Sequence, residues 1–387
     1  DFFLELLNWN ISEIHDFCET LTMSYFELNL ETWRQLWRVL EMCDVLLLIV
    51  DVRYAGMMFP PSLYSYIREQ NKDMILVLNK IDLVSASVVA AWKEYLTTGY
   101  PELKVLYFTS FRRRKGKQRM CAEGATKILE ACKEIVKGEV DLSSWEKKIK
   151  DETNVEFDYD EEAEVYKIFI SFSADTTFYT HERYKSGVLT IGCVGQPNVG
   201  KSSLLNALMG RCVVSVSRSP GHTKHFQTIY LTPQVRLCDC PGLVFPSTVP
   251  RPIQILMGSY PIAQLREPYT TIRYLAERMD LPKLLRIDHP EGDDTWSPRD
   301  ICDGWAKKRH YMTAKAARYS ASYVRTSCAR DFVLAYVTPY YISYLPKQVP
   351  SKSVQPFQRL ARTNRQTDKI CKKCYFGVCT VYIFICM

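Results

Sequence analysis

The octapeptide Gly195-Gln196-Pro197-Asn198-Val199-Gly200-Lys201-Ser202 sets two glycines, separated by four residues, directly ahead of a lysine and a hydroxyl. Glycines at that spacing let the backbone curl around a phosphate with its N–H groups pointing inward. Lys201 would bring a positive charge to the terminal phosphates, and Ser202, followed by Ser203, a hydroxyl oxygen for Mg²⁺. A second tetrapeptide, Asn79-Lys80-Ile81-Asp82, suits recognition of a base. The Asp82 carboxylate can accept from the guanine N1–H and 2-amino groups together; adenine offers neither donor and would leave the carboxylate unpaired. Asn79 would fix the base loop, and the Lys80 stem would cover the base. Asp239-Cys240-Pro241-Gly242 supplies a third group: Asp239 would hold Mg²⁺ through water, and the Gly242 N–H would sense a terminal phosphate. Between the first and third motifs lies Ser219-Pro220-Gly221-His222-Thr223, whose Thr223 would complete the Mg²⁺ shell when a triphosphate is bound.

The surrounding pattern supplies the elements to carry these groups. Val188 to Val194 is an apolar run rich in β-branched residues, a buried strand that feeds the glycine loop. Leu204, Leu205 and Leu208 recur at helical spacing after it, and Gly210 suits a helix C-terminus. Strand, glycine loop and helix together aim a helix N-terminus at the phosphate. Upstream, Trp33, Leu36, Trp37 and Leu40 mark one helix face. Val45 to Val50, Met74 to Leu78 and Val105 to Phe108 are strands. Helices between them are marked by Leu63, Tyr64 and Ile67, and by Val88, Val89, Trp92, Tyr95 and Leu96. The alternation predicts a mainly parallel sheet with helices on both faces, ligands lying beyond the strand C-termini. Asn79 and Ser110 both fall there.

Arg112 to Arg119 is a basic run that could meet RNA phosphates, but it lacks interleaved aromatics for base stacking and suits a solvated loop equally well. A helix with Ile128, Leu129, Cys132, Ile135 and Val136 on one face follows. Glu156 to Glu164 is acidic, and residues 140–185 have the composition of a linker or insertion. Phe226 to Leu231 and Val235 to Leu237 form a hairpin pattern around Thr232-Pro233-Gln234. After about residue 285 the pattern is mostly helical, clearest from Trp305 to Ala317.

Composition bounds the class. The chain has 387 residues, 47% of them hydrophobic and 24% charged, enough for a full α/β core with appendages. A net charge of +7 permits contact with nucleic acid without requiring it. The first residue is Asp, the mark of a fragment or a processed form, and no basic-then-apolar opening predicts a secretory signal. No apolar stretch is long enough to span a membrane, and no membrane partner is expected. Fourteen cysteines are scattered along the chain, and thiols are their expected state in a reducing compartment. Cys371-Lys372-Lys373-Cys374 is one CxxC without the second spaced pair that a zinc site usually needs.

The order of the motifs is the diagnostic feature. Asn79-Lys80-Ile81-Asp82 comes first, then the glycine loop, then Thr223, then Asp239 to Gly242. That order, with Trp33 to Glu41, Cys193-Val194-Gly195 and Leu237 to Leu243, resembles the YlqF/YawG family of circularly permuted GTPases over about residues 31–345. The resemblance implies an α/β P-loop GTPase fold with permuted motif order, a mainly parallel sheet flanked by helices, and a mostly helical C-terminal region. It divides the chain into an N-terminal extension (1–30), the GTPase domain (31–285), a helical region (286–345) and an irregular tail (346–387). Within the domain, 31–110 would be the base-recognition half, 111–187 a linker or insertion, and 188–285 the P-loop and switch half.

GTP or GDP with Mg²⁺ are the implied ligands. Several family members act in ribosome assembly, so ribosomal RNA or preribosomal particles are the implied partners, in the nucleolus, nucleus or cytosol; the resemblance leaves the oligomeric state open. Asn198 resembles the residue that helps bind K⁺ in potassium-stimulated members. The catalytic set would be Lys201, Thr223, Gly242 and Asn198. Leu243 stands where Ras-like GTPases carry a water-orienting glutamine, which predicts slow hydrolysis. The family's second guanine contact would lie near Ser110, but Phe111 follows it. Two functions fit: a slow Mg²⁺-dependent GTPase that switches, or a GTP-holding assembly factor on ribonucleoprotein in which hydrolysis is incidental. Asp82 argues against an ATP-using protein.

Overall fold

The computed structural model describes residues 24–110, 115–154, 182–216, 226–247, 249–260 and 269–310. They fall into two compact units, residues 26–245 and residues 24–25 with 246–310. The domain boundary read from the sequence at residue 285 lies inside the second unit.

The first unit opens with α1 (Leu30–Met42), β1 (Val45–Asp51), the short α2 (Ala55–Met58), α3 (Pro61–Glu69) and β2 (Asp73–Asn79). It continues through α4 (Ala86–Gly99), β3 (Lys104–Tyr107), α5 (Lys115–Val136) and α6 (Ser143–Asn154). It ends with β4 (Leu189–Val194), α7 (Lys201–Met209), β5 (Gln227–Thr232) and β6 (Val235–Asp239). The strands form one six-stranded sheet in the order β3-β2-β1-β4-β6-β5, parallel throughout except for the antiparallel pair β5–β6. Every residue of β1 and β4 is buried, which is why both appear in the sequence as unbroken apolar runs rather than alternating ones. The expected sheet is therefore present, and its motif order follows from its wiring. From β1 the chain builds outward through β2 and β3; from β4 it builds the other way through β6. The crevice between β1 and β4 is thus a topological switch point, the place where such sheets hold ligands.

Four elements differ in detail from the sequence reading. On α1 the buried face is Trp33, Gln35, Leu36, Val39 and Leu40. Trp37 is only half-buried and meets the Tyr66 ring edge-on, with centroids 5.0 Å apart. On α4 only Leu96 is buried, and Tyr95 is 53% exposed. The span expected as a linker from residue 140 holds α6 instead, which packs against α5 and whose Trp145 side chain is fully buried. One large ring is enough to seat a short helix whose remaining residues are largely charged. In the second unit, the helix expected from Trp305 to Ala317 begins at Pro298, because Ser297 and Asp300 form a reciprocal capping box. Residues beyond 310 lie outside the described residues.

The second unit is helical: α8 (Arg251–Leu256), α9 (Tyr269–Ala276), α10 (Leu281–Leu285) and α11 (Pro298–Lys308). Its core gathers Leu256, Ile272, Leu275, Leu281, Ile301 and Trp305. No helix among the described residues is long and apolar enough to cross a membrane.

Candidate functional site

The glycine loop leaves β4 at the C-terminal edge of the sheet, and its glycines are dictated by crowding. A Cβ at Gly195 would lie 2.3 Å from the Ile49 carbonyl oxygen, and one at Gly200 would lie 2.4 Å from Asn79 Nδ2. Gly200 also has φ +99°, a left-handed conformation that costs a side-chain-bearing residue energy. It caps α7, whose first residue is Lys201. The Lys201 ammonium donates to two carbonyls of its own loop, Gly195 O at 3.0 Å and Gln196 O at 2.8 Å. Burial lowers its pKa below the ordinary lysine value, and the Asp239 charge opposes that shift. The Gln196 side chain donates weakly to Met58 O at 3.4 Å. Val199 is fully buried, and Asn198 holds φ +60°.

The base loop leaves β2 on the other side of β1 and is stitched to the glycine loop. Asn79 Nδ2 donates to Val199 O at 2.8 Å, and Asn79 Oδ1 accepts from Ser110 Oγ at 3.3 Å. Lys80, in the left-handed region at φ 63°, donates from Nζ to Asn198 O at 2.5 Å and to Asp51 Oδ2 at 2.8 Å. Asp82 Oδ1 accepts from Thr109 Oγ1 at 2.8 Å, and the Ile81 N–H donates to Phe108 O at 3.4 Å. Groups some 120 residues apart in sequence thus share one edge of the sheet, as parallel pairing of β2, β1 and β4 requires.

The third motif ends β6, next to β4, with Cys193 in register with Asp239. Asp239 is fully buried; its Oδ2 accepts from Ser202 Oγ at 2.9 Å, and its Oδ1 has no partner among the described residues. Burial raises its pKa, with Lys201 and Ser202 opposing. A buried carboxylate with an unpartnered oxygen beside a hydroxyl is a hard-oxygen donor set, and it fits Mg²⁺, which takes one or two protein ligands together with phosphate and water. Ser202 and Asp239 are the groups that would hold it. Cys240 is buried, with its N–H on Cys193 O at 3.3 Å, and Pro241 is buried as well. Gly242 lies under the glycine loop, where a Cβ would sit 2.7 Å from Pro197 Cα and 2.9 Å from Lys201 Nζ. The Leu243 side chain is fully buried and its N–H donates to Gly195 O at 3.3 Å, so that position presents no polar group for orienting water.

The structure therefore brings Asn79 to Asp82, Gly195 to Ser203 and Asp239 to Leu243 to one sheet edge. Thr223, the rest of Ser219 to His222, Arg112 to Arg114, the acidic run and the Cys371–Cys374 pair lie outside the described residues. Three contributors carry no motif. Thr109 and Ser110 hold the Asp82 and Asn79 side chains, so the segment after β3 acts on the base loop through these side chains as well as through Phe108 O. Asp51, at the end of β1, binds Lys80 and also accepts from Arg53 Nε at 2.9 Å and Nη2 at 2.6 Å. Burial alone would raise the Asp51 pKa; Lys80 and Arg53 overcome it and hold the carboxyl at about 2. The signal in sequence was a carboxylate closing an otherwise apolar strand, two residues ahead of an arginine.

Comparison with known proteins adds independent evidence. Residues 190–286 match a family model described as "50S ribosome-binding GTPase". The chain is 49% identical to guanine nucleotide-binding protein-like 1 of Mus musculus over 340 residues, 80% of this chain and 56% of that protein. It is 34% identical to Large subunit GTPase 1 of Schizosaccharomyces pombe over 86% of this chain and 54% of that protein. The chain thus spans little more than half the length of these relatives. A crystal structure of GNP-bound YlqF from T. maritima aligns with 78% of this chain and 93% of that one, at 15% identity and a TM-score of 0.40.

Proposed function

The chain belongs to the family of guanine nucleotide-binding protein-like 1, the circularly permuted GTPases, and from that premise we propose that it binds GTP and GDP with Mg²⁺ and hydrolyses GTP slowly as a molecular switch. The observation that carries the proposal is the stitching of base loop to glycine loop: Asn79 Nδ2 on Val199 O, and Lys80 Nζ on Asn198 O. A pair of loops bonded this way presents one continuous surface to a base at one end and to phosphates at the other.

In this reading Asp82 takes the guanine edge and Asn79 and Lys80 keep the base loop in place. The backbone of Gly195 to Gly200 cradles phosphate. Lys201 exchanges the carbonyls of Gly195 and Gln196 for phosphate oxygens, and Ser202, Ser203 and Asp239 serve the phosphate and metal corner. Magnesium, when bound, neutralises charge on the phosphates. Thr223 and the Gly242 N–H would register the terminal phosphate. Leu243 supports slow turnover, because a buried leucine cannot hold an attacking water. Asn198, at the mouth of the loop, is the proposed place where K⁺ assists.

Two further contacts support a switch. The buried Gln35 Oε1 on α1 accepts from the Phe226 N–H at 3.1 Å, just past the Thr223 segment. Trp33 on the same helix meets the Phe245 ring edge-on at 5.9 Å, just past Gly242. One helix thus touches the chain leaving both phosphate-sensing motifs, and a nucleotide-dependent shift in either would reach it.

The description of the family model and the name of the yeast relative make ribosomal particles the proposed partner; the family resemblance makes nucleolus, nucleus or cytosol the proposed location. The buried Leu243 equally favours the second reading, a GTP-holding assembly factor in which hydrolysis is incidental. Turnover with and without ribosomal particles separates the two: strong acceleration supports the switch, and unchanged turnover with GTP-dependent binding supports the assembly factor.

A further inference from the structure

Asp51 belongs to none of the nucleotide motifs, yet it stands at their junction. It ends β1, the strand between β2, which feeds the base loop, and β4, which feeds the glycine loop, and it is in register with Asn79. Its carboxylate is 1% exposed. Oδ1 accepts from the backbone N–H of Arg53 at 3.0 Å and from Arg53 Nε at 2.9 Å. Oδ2 accepts from Arg53 Nη2 at 2.6 Å and from Lys80 Nζ at 2.8 Å. The same Lys80 ammonium donates to Asn198 O at 2.5 Å, so one cation joins a carboxylate at the end of β1, the base loop and the glycine loop.

This arrangement solves a physical problem. Lys80 sits in a left-handed backbone conformation, which a side-chain-bearing residue adopts at a cost, and its side chain is 25% exposed. A lysine ammonium facing only a backbone carbonyl gains little over water, and its long stem has rotamer entropy to recover by leaving. A buried carboxylate with a charge-assisted bond holds it instead. Arg53 keeps that carboxylate from being a lone buried charge.

We propose that Asp51 is a positioning residue for nucleotide binding: through Lys80 it locks the base loop to the glycine loop, and its loss speeds nucleotide release. The proposal rests on the reading that Asn79 to Asp82 takes the guanine base. The competing role is local, with Asp51 simply fastening the turn at Val52–Tyr54 through Arg53.

The test is release of a fluorescent GDP from the full chain by stopped flow, with the melting curve of each nucleotide-free variant as a folding check. D51N is expected to release GDP about tenfold faster than the unsubstituted protein, the effect of one lost charge-assisted bond. K80A is expected to do the same, and D51N/K80A to release no faster than K80A alone. R53M, which leaves Lys80 on Asp51, is expected to keep the original rate. Should D51N not fold, D51N/R53M removes both buried charges together and is expected to reproduce the tenfold acceleration. An unchanged rate in D51N or in its paired form, an equal acceleration in R53M, or a full additional factor on top of K80A overturns the positioning role. D82N separates the underlying reading: acceleration by D82N but not by D51N removes only the Asp51 role, whereas no response to D82N removes the base site itself.

Discussion

The base loop and the glycine loop share one sheet edge but differ in how their polar groups are satisfied. In the base loop, Asn79, Lys80 and Asp82 each hold a partner from another element: Val199 and Ser110, Asp51 and Asn198, and Thr109. In the phosphate corner, the Lys201 ammonium folds back on the carbonyls of its own loop, and Asp239 keeps one buried oxygen without a partner among the described residues. The first loop is organised by protein; the second carries charge whose natural complement is a phosphate and a cation. The contrast teaches where affinity and specificity should reside. In the proposed reading, specificity would belong to a preformed rim, and binding energy to a corner whose electrostatics would improve when ligand arrives.

Four outcomes test that contrast. The largest is expected at Lys201. Lys201→Met should weaken GDP and GTP binding by roughly 10³-fold in a titration, with little loss of nucleotide-free stability, because the ammonium is only provisionally paired. Equal loss of stability would mean the phosphate corner is as structural as the base loop. Gly200→Ala comes next. Its φ of +99° and the 2.4 Å approach to Asn79 Nδ2 predict a loss of about 2–3 kcal/mol in denaturant unfolding, felt at the seam between the two loops.

The third concerns acid. Asp51 has a folded pKa of about 2, below the unfolded value near 3.8, held there by Lys80 and Arg53. Its contribution is therefore fully present above about pH 4 and is lost as pH falls through about 2, some 2 kcal/mol in all. The unfolding free energy of Asp51→Asn should fall less than that of the unsubstituted protein over that window; parallel curves would mean the carboxylate is not charged in the fold. The smallest effect is expected for the monovalent cation. Turnover in KCl should exceed that in NaCl by several-fold, and Asn198→Ala should erase the difference; equal rates in both salts would remove K⁺ from the proposal.

Much of this was legible in sequence for identifiable reasons. β1, β2 and β4 are buried on both faces and so spell themselves as apolar runs, and the base and glycine motifs follow the ends of β2 and β4. Gly210 marks the end of α7 because its φ of 76° is one that glycine tolerates. What stayed hidden depends on contacts between elements. Nothing near Asp51 in the chain names Lys80 as its partner, because parallel strands bring together residues that sequence keeps apart. Gln35 is a polar residue on an amphipathic helix, and only the fold brings Phe226 to it. α6 was obscured by its charged surface, although Trp145 was the clue. The start of α11 could have been read, since Ser297-Pro298 followed by Asp300 is a helix-opening pattern.

Selection of guanine by a preformed Asp82 rim is the central claim. A competition titration of GDP, ADP and xanthosine diphosphate against the unsubstituted chain and Asp82→Asn tests it. The unsubstituted chain is expected to prefer GDP over ADP by roughly 10³-fold or more, and Asp82→Asn to turn the preference toward xanthosine diphosphate. Comparable affinity for GDP and ADP, or an unchanged preference in Asp82→Asn, would contradict it.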